Sequence, residues 1–425
     1  MATIFQDIAN TIVDPTAYAD GDRVDQAFIH LRRESPLAVA HPEGFDPFWA
    51  VTRHADIQAV ERQNDLFHNG DRSATLTTIE GDRLVRQMTG GSPHLVKSLV
   101  QMDNPDHAAY RRLTQGAFLP QNLRSLDGRI REIAREFIDH MASFGGRCDF
   151  ARDVAFLYPL RVIMELMGVP QSDEPFMLRL TQELFGSADK DLNRSHEEVG
   201  SSEKFAMDLQ RTVADLEGYF GKVTADRRAN PRDDICSLIA NGQIDGQPLG
   251  YIETMGYYII AATAGHDTTS NTTAGGLWAL AENPEQFAKL KADPSLIPGH
   301  VEESIRWVTP VKHFMRTATA DTEVAGEKIA KGDWLMLCYP SGNRDEAVFR
   351  DPFVYDIERS PNRHVAFGYG AHVCLGQHLG RMEMRILWEE LLPRLKNIEL
   401  NGTPERWAGS FVCGPKTVPI RYELN

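Results

Sequence analysis

One cysteine of the chain stands apart. It lies in Phe367-Gly368-Tyr369-Gly370-Ala371-His372-Val373-Cys374-Leu375-Gly376, where three glycines surround it. Glycine allows backbone conformations and close approaches that other residues forbid. Cys374 also stands where a helix over Leu375–Leu395 is expected to begin. Free N–H groups and the positive helix end lower a thiol's pKa there. A thiolate held by backbone N–H groups is a good ligand for a soft metal centre. Taken alone, the run also suits a buried thiol beside a turn. Cys148, Cys236, Cys338 and Cys413 lack this setting. No Cys-x-x-Cys or His-x-x-x-His cluster accompanies Cys374, which argues against zinc.

A second group lies in Ala264-Gly265-His266-Asp267-Thr268-Thr269. Ala264 and Thr268 are four apart, hence on one helix face. A threonine hydroxyl can bond back to the carbonyl four residues earlier and bend the helix. Asp267 is an acid in an otherwise apolar stretch, costly unless paired or useful. A solvated Asp and a capping Thr would suit the same string. Further on, Glu303 and Arg306 are three apart and can pair on a helix. His107 and Arg111 share a helix face in the same way.

These residues need elements to carry them. Phe48–Thr52 reads as a short strand, and a helix follows at Ala55–Glu61. Residues 68–100 look irregular, and 105–240 mostly helical. Leu123–Met141 repeats apolar residues at helical spacing. Gly186–Glu203 is polar and is expected as a surface loop. Tyr251–Glu282 reads as one long helix of about 45–50 Å. It is apolar over much of its circumference, so it belongs inside. Val311–Leu337 turns to strand character, and 340–372 shows little periodicity. The fold class expected is mainly α with a smaller β portion (α+β), in a single domain over 1–425. The chain has 425 residues, 60 acidic and 45 basic, for a net charge of −15. That balance argues against nucleic acid or an anionic membrane as partner. Five scattered cysteines, an odd number, fit a reducing cytoplasm. No leader or spanning segment is visible in the sequence.

Phe367, Gly370, His372, Cys374 and Gly376 match F-x-x-G-x-H-x-C-x-G. This resembles the haem-binding loop of the cytochrome P450 family, whose iron takes a cysteine thiolate. Other segments agree in order, from about Pro105 to the C-terminus. Ala264–Thr268 looks like the family's A-G-x-D/E-T motif. The resemblance implies that Thr268 steadies bound oxygen and Asp267 relays protons. Glu303 and Arg306 look like its helix pair, with Arg359 completing a buried network that locks the cysteine loop.

The resemblance also implies heme b as cofactor, with Cys374 as its metal ligand. Phe367, Gly368 and Gly376 would line it, and His107, Arg111, Arg316 and His364 would neutralise its propionates. It implies pocket walls at Ile260, Thr263, Ala264, Val311, Phe314, Phe411 and Val412, although apolar residues at such spacing also suit plain core. The wording around Cys374, Ala264 and Pro310–Arg316 is most similar to the terpineol-hydroxylating branch. The Gly186–Glu203 segment, where the family has its mobile lid, departs from that branch.

The implied activity is haem-thiolate monooxygenation of a small hydrophobic substrate, a monoterpenoid or an aromatic hydrocarbon, with O2 as co-substrate. Electrons would come from NAD(P)H through a ferredoxin reductase and a ferredoxin, expected to be of the 2Fe-2S type. The ferredoxin would dock on the cysteine side, where Arg111, Arg112, Arg124, Arg129, Arg131 and Arg135 cluster in sequence. An ordinary solvated helix face would show the same arginines. A monomer is expected. A haem sensor or carrier without turnover, or a peroxide-driven oxidant, would share the cysteine loop. The first has no need of Asp267 and Thr268, and the second needs no redox partner.

Overall fold

A computed structural model describes residues 3–197 and 202–425. Eight helices position the site: α1 (His54–Glu61), α2 (Asp106–Gln115), α3 (Asp127–Ser143), α4 (Glu174–Phe185), α5 (Tyr251–Ala264), α6 (Asp267–Glu282), α7 (Ile297–Val308) and α8 (Gln377–Leu391). With 54% of residues helical and 13% in strands, the fold is mainly α with a smaller β portion. No helix among the described residues is long and apolar enough to cross a membrane.

The main sheet is built from β1 (Leu37–Ala40), β2 (Phe48–Val51), β3 (Phe67–His68), β4 (His313–Ala318) and β5 (Trp334–Cys338). Its order is β1-β2-β5-β4-β3. β2 and β5 run parallel, and the other pairs antiparallel. Strands β1, β2 and β5 are buried at every position. The two faces belong to different cores. Ala38, Phe48, Ala50 and Met336 pack on one side, and Val39, Trp49, Val51, Leu335 and Leu337 on the other. This is why Phe48–Val51 and Trp334–Cys338 are unbroken apolar runs rather than alternating ones.

The larger core lies between helices. Ile130, Ile133, Ala134, Phe137, Ile138 and Met141 of α3 are buried, the stripe read from the sequence. A three-stranded sheet of Arg147–Asp149, Leu395–Leu400 and Pro419–Leu424 closes the C-terminal side.

Three expectations change. The stretch Tyr251–Glu282 is two helices, α5 and α6, with Gly265 and His266 between them. His266 has φ −95° and ψ −74°. Thr268 Oγ1 donates to the Ala264 carbonyl at 2.8 Å. That hydroxyl competes with the helical ladder beside a glycine, the poorest helix former here apart from proline. Residues 68–100, expected irregular, hold an eleven-residue helix, Ile79–Thr89, whose N-cap Thr78 accepts from Gly81 N. Its apolar residues Leu84, Val85 and Met88 share one face, but none of its residues is buried.

Within Gly186–Glu203, Asp189 and Asn193 are buried rather than solvated. Asp189 accepts from Lys416 Nζ at 2.8 Å and from Ala408 N at 3.0 Å. Residues 198–201 of that segment lie outside the described residues.

Candidate functional site

A cavity lies between α5–α6 and the Phe367–Gly376 loop.

Its floor is the cysteine loop. Cys374 N donates to the Phe367 carbonyl at 2.8 Å, and Gly368 N to the Val365 carbonyl at 2.9 Å. Helix α8 starts at Gln377, so Cys374 stands just before its first turn. Burial pushes the Cys374 thiol up, while the N–H groups of Gly376 and Gln377 and the charges of Arg111 and Arg381 pull it down. The loop follows the α1 end closely. Gly370 has φ +69°, and a Cβ there would fall 2.2 Å from the Glu61 carbonyl oxygen. A Cβ at Gly376, by contrast, would meet no protein atom within 4 Å.

One wall is basic. His107 and Arg111 project from one face of α2, and Arg316 from β4. Arg111 Nη2 donates to the Val373 carbonyl at 2.7 Å, tying α2 to the cysteine loop. Arg316 is 3.3 Å from Glu61 Oε1, which also accepts from Tyr339 at 2.7 Å. Burial, opposed by Arg316 and Tyr339, pushes Glu61 up to about 7. Among the described residues, His107 Nε2 is buried without a partner. Burial and Arg111 hold His107 down at about 4, and burial and Arg316 hold His372 down at about 2. The two imidazoles lie 3.9 Å apart, centroid to centroid.

The opposite wall is apolar: Leu99, Val100, Ile260, Ala264, Val311 and Phe314, with the Thr268 hydroxyl among them. Ile260 and Ala264 are four apart on α5, and Phe314 and Arg316 are two apart on β4, so each pair shares a face. Asp267 does not line the cavity. It is 1% exposed, and neither carboxylate oxygen has a hydrogen-bond partner among the described residues.

Beneath the loop, Glu303 and Arg306 of α7 are fully buried. Arg306 donates to Glu303 at 2.7 and 2.8 Å, and to the carbonyls of Asn343 and Pro352 at 3.0 and 2.9 Å. Arg359 reaches Glu303 at 3.1 Å, and Asn362 does so at 3.1 Å. Asn343 Oδ1 in turn accepts from Val365 N at 2.7 Å, three residues before Gly368.

Several expected residues lie elsewhere. His364 is not on the cavity; it bonds Glu302 at 3.0 Å, beside Arg381. His372 holds the place expected for it. Its signal was a histidine two residues before Cys374 in the same glycine-rich run. Thr263, Phe411 and Val412 are also off the cavity wall. Thr263 Oγ1 bonds the Ile259 carbonyl at 2.7 Å, and Val412 bridges to Val311 behind the wall. Phe411 packs edge-on against Phe314, 5.3 Å between centroids. Glu61, Asn69 and Tyr339 line the cavity and carried no local sequence signal.

Among the expected docking arginines, Arg129, Arg131 and Arg135 are paired with Glu132, Glu389, Glu390 and other acids. Arg112 and Arg124 are exposed, and no acid lies within ion-pair distance of either among the described residues.

The donor set fits heme b. One thiol stands on the floor under backbone N–H groups. Three basic residues and the orphaned His107 Nε2 face a region that would hold two carboxylates. The uncrowded Cα of Gly376 lies on the cavity floor, where a flat ring needs close approach.

The Cytochrome P450 family model matches residues 81–417. The chain is 48% identical to Cytochrome P450-terp of a Pseudomonas species over 421 residues, 99% of this chain and 98% of that one. It is 32% identical to linalool 8-monooxygenase of Pseudomonas putida over 393 residues, 92% of this chain and 94% of that one. The crystal structure of CYP108D1 from Novosphingobium aromaticivorans superposes with a TM-score of 0.92 at 45% identity, covering 100% of both chains. With this family match over most of its length, with the cysteine loop and the split helix on one cavity and the Glu303–Arg306 pair buried outside its lining, the chain belongs to the cytochrome P450 family and is a monooxygenase.

Proposed function

We propose that the chain hydroxylates a small hydrophobic substrate, a monoterpenoid or an aromatic hydrocarbon. The observation that carries this reading is a cavity lined both by Cys374 on the floor and by Ile260, Ala264, Val311 and Phe314 above it. Apolar walls bind hydrocarbon and exclude water. Two relatives support the substrate class through their names, P450-terp and linalool 8-monooxygenase.

Heme b, held through Cys374, supplies the activation of O2 and the oxidising equivalent for hydroxylation. The chain's residues do the rest. Cys374 ligates the iron. His107, Arg111, Arg316 and His372 hold the propionates, with His372 taking the role first expected of His364. Phe367, Gly368 and Gly376 shape the floor. The Thr268 proton is engaged by the Ala264 carbonyl, so the hydroxyl oxygen is left to accept within the cavity. Asp267 sits behind Thr268 as the acid of the relay. Glu303, Arg306 and Arg359 keep the segment before the cysteine loop in register. Residues 1–425 act as one domain, because elements from α1 to α8 converge on one cavity.

Electrons reach the site from a ferredoxin on the cysteine-side surface, supplied by NAD(P)H through a reductase. Arg112 and Arg124 are the exposed cations available there for an acidic partner. Arg129, Arg131 and Arg135 are already engaged by the chain's own acids.

Carbon monoxide added to the reduced protein tests the ligand. The Soret band is expected at the thiolate position and is lost in Cys374→Ala; its retention in that variant overturns the assignment. A panel of terpenes and arenes scored by spin-state shift, then by product with a ferredoxin system, tests the substrate class. Absence of any shift across the panel rejects it.

A further inference from the structure

Asp267 poses an electrostatic problem. It is 1% exposed, and neither carboxylate oxygen accepts a hydrogen bond from the described residues. A buried carboxylate is costly unless it is paired. Among the described residues, no lysine or arginine nitrogen comes within 4 Å of it. The one basic group that does is its chain neighbour: His266 Nδ1 lies 3.5 Å from Asp267 Oδ1.

His266 is fully buried and engaged at both ring nitrogens. Nε2 is 2.7 Å from the Phe156 carbonyl oxygen. A carbonyl only accepts, so Nε2 carries a proton. Nδ1 is 3.0 Å from Thr181 Oγ1 on α4. The Thr181 hydroxyl has one proton, and its oxygen is also 3.0 Å from the Leu178 carbonyl, which can only accept. When that proton goes to Leu178, Nδ1 must donate to Thr181, and it does so on the side of Asp267. A neutral ring would instead accept the Thr181 proton at Nδ1 and leave the Asp267 carboxylate without a counter-charge.

Other acids on the packed elements do not take this role. Glu183 on α4 is engaged by Arg179, Arg194 and Thr212. Glu383 on α8 is not within ion-pair distance of the ring.

We propose that His266 is the positioning residue of Asp267: an imidazolium, protonated on both nitrogens, that acts as counter-charge to the ionised carboxylate and is oriented by Thr181 and Phe156. The break between α5 and α6 makes this possible. In an unbroken helix, neighbours in sequence point about 100° apart. The irregular dihedrals at His266 bring its ring beside Asp267. The hydrogen bond to Thr181 also ties the acid's counter-charge to α4, the helix that leads into the 186–197 segment. The importance of the pair for catalysis rests on the reading of Asp267 as relay acid; its charge state does not.

The test uses isotope-labelled histidine in the haem-loaded protein, in its diamagnetic ferrous carbon monoxide form, at neutral pH. Long-range proton–nitrogen spectra report each ring nitrogen as N–H or lone pair. His266→Gln identifies the signals by their loss. Thr181→Val, which shifts only Nδ1 strongly, identifies them if that variant does not fold. Both His266 nitrogens are expected at imidazolium positions, and in Asp267→Asn one moves to the lone-pair position. A lone-pair nitrogen in the unaltered protein overturns the proposal, as does an unchanged pattern in Asp267→Asn. Turnover does not enter this readout, so a failed substrate assignment leaves it standing.

Discussion

Arg306→Met is the perturbation with the largest consequence that the geometry allows to be worked out. Arg306 and Glu303 are both fully buried. The variant removes two hydrogen bonds to the carboxylate and strands the Asn343 and Pro352 carbonyls, which Arg306 reaches at 3.0 and 2.9 Å. Glu303 keeps Arg359, Asn362 and the Asp356 N–H, so it is not wholly abandoned. Breaking a buried pair from one side costs about 3–5 kcal/mol, mostly the penalty of an uncompensated charge. The same reasoning gives a sign for the double variant Glu303→Leu with Arg306→Met. It removes that charge, while Arg359 keeps carbonyl acceptors at Arg350, Asp351 and Val354. The double variant should therefore cost less than the sum of the two single ones. Urea unfolding followed by tryptophan fluorescence measures all three. A cost below about 1 kcal/mol for Arg306→Met, the range of exposed pairs, would show that water reaches the network. Simple additivity would refute the charge argument itself.

Three further outcomes are expected. His372→Ala should lose haem faster than the unaltered protein on transfer to a haem acceptor, whereas His364→Ala, which loses a bond to Glu302, should not; equal rates would return His364 to the site. Glu61 has a folded-state pKa of about 7 against 4.5 for a free glutamate, so its buried charge costs nothing below 4.5 and costs progressively more as pH rises to 7. Glu61→Gln should remove that loss, and thermal midpoints of the haem-free protein at pH values either side of this window would show it as a flatter profile. Gly370→Ala combines φ +69° with a Cβ 2.2 Å from the Glu61 carbonyl; the dihedral alone costs about 1–3 kcal/mol, and a midpoint equal to that of the unaltered protein would mean that the loop can shift.

Much of the site was legible before the fold. Cys374 and its glycines are contiguous, so their chemistry could be read from one run. His107 with Arg111 follows from helical spacing, which puts residues four apart on one face whatever packs against it, whereas Ile260 and Ala264 came with the family resemblance. The α+β class followed from the same periodicities. The errors share a cause. His364 and His372 are both histidines near the loop, and nothing local says which one faces inward. That depends on Glu302 and Arg381 arriving from α7 and α8 to claim His364. Thr263 sits beside Ala264 in sequence but about 100° round the helix, and its hydroxyl bonds its own backbone. Arg131 and Arg135 read as a basic patch until α8 supplies Glu389 and Glu390, and Arg129 is met by Glu132 on its own helix and by Glu165.

Chain order and residue type settled which chemistry was available: one thiol in a glycine frame, an acid and a hydroxyl side by side, basic residues at helical spacing, apolar walls. Their effects reach only a turn or two of helix, so they could be read locally. The packing of distant segments decided which of those groups meet. It set Glu61 and Tyr339 against Arg316, and left Asp267 buried with His266 as its one basic neighbour among the described residues. Burial and pairing are properties of contacts between elements far apart in sequence, and spacing along the chain does not encode them.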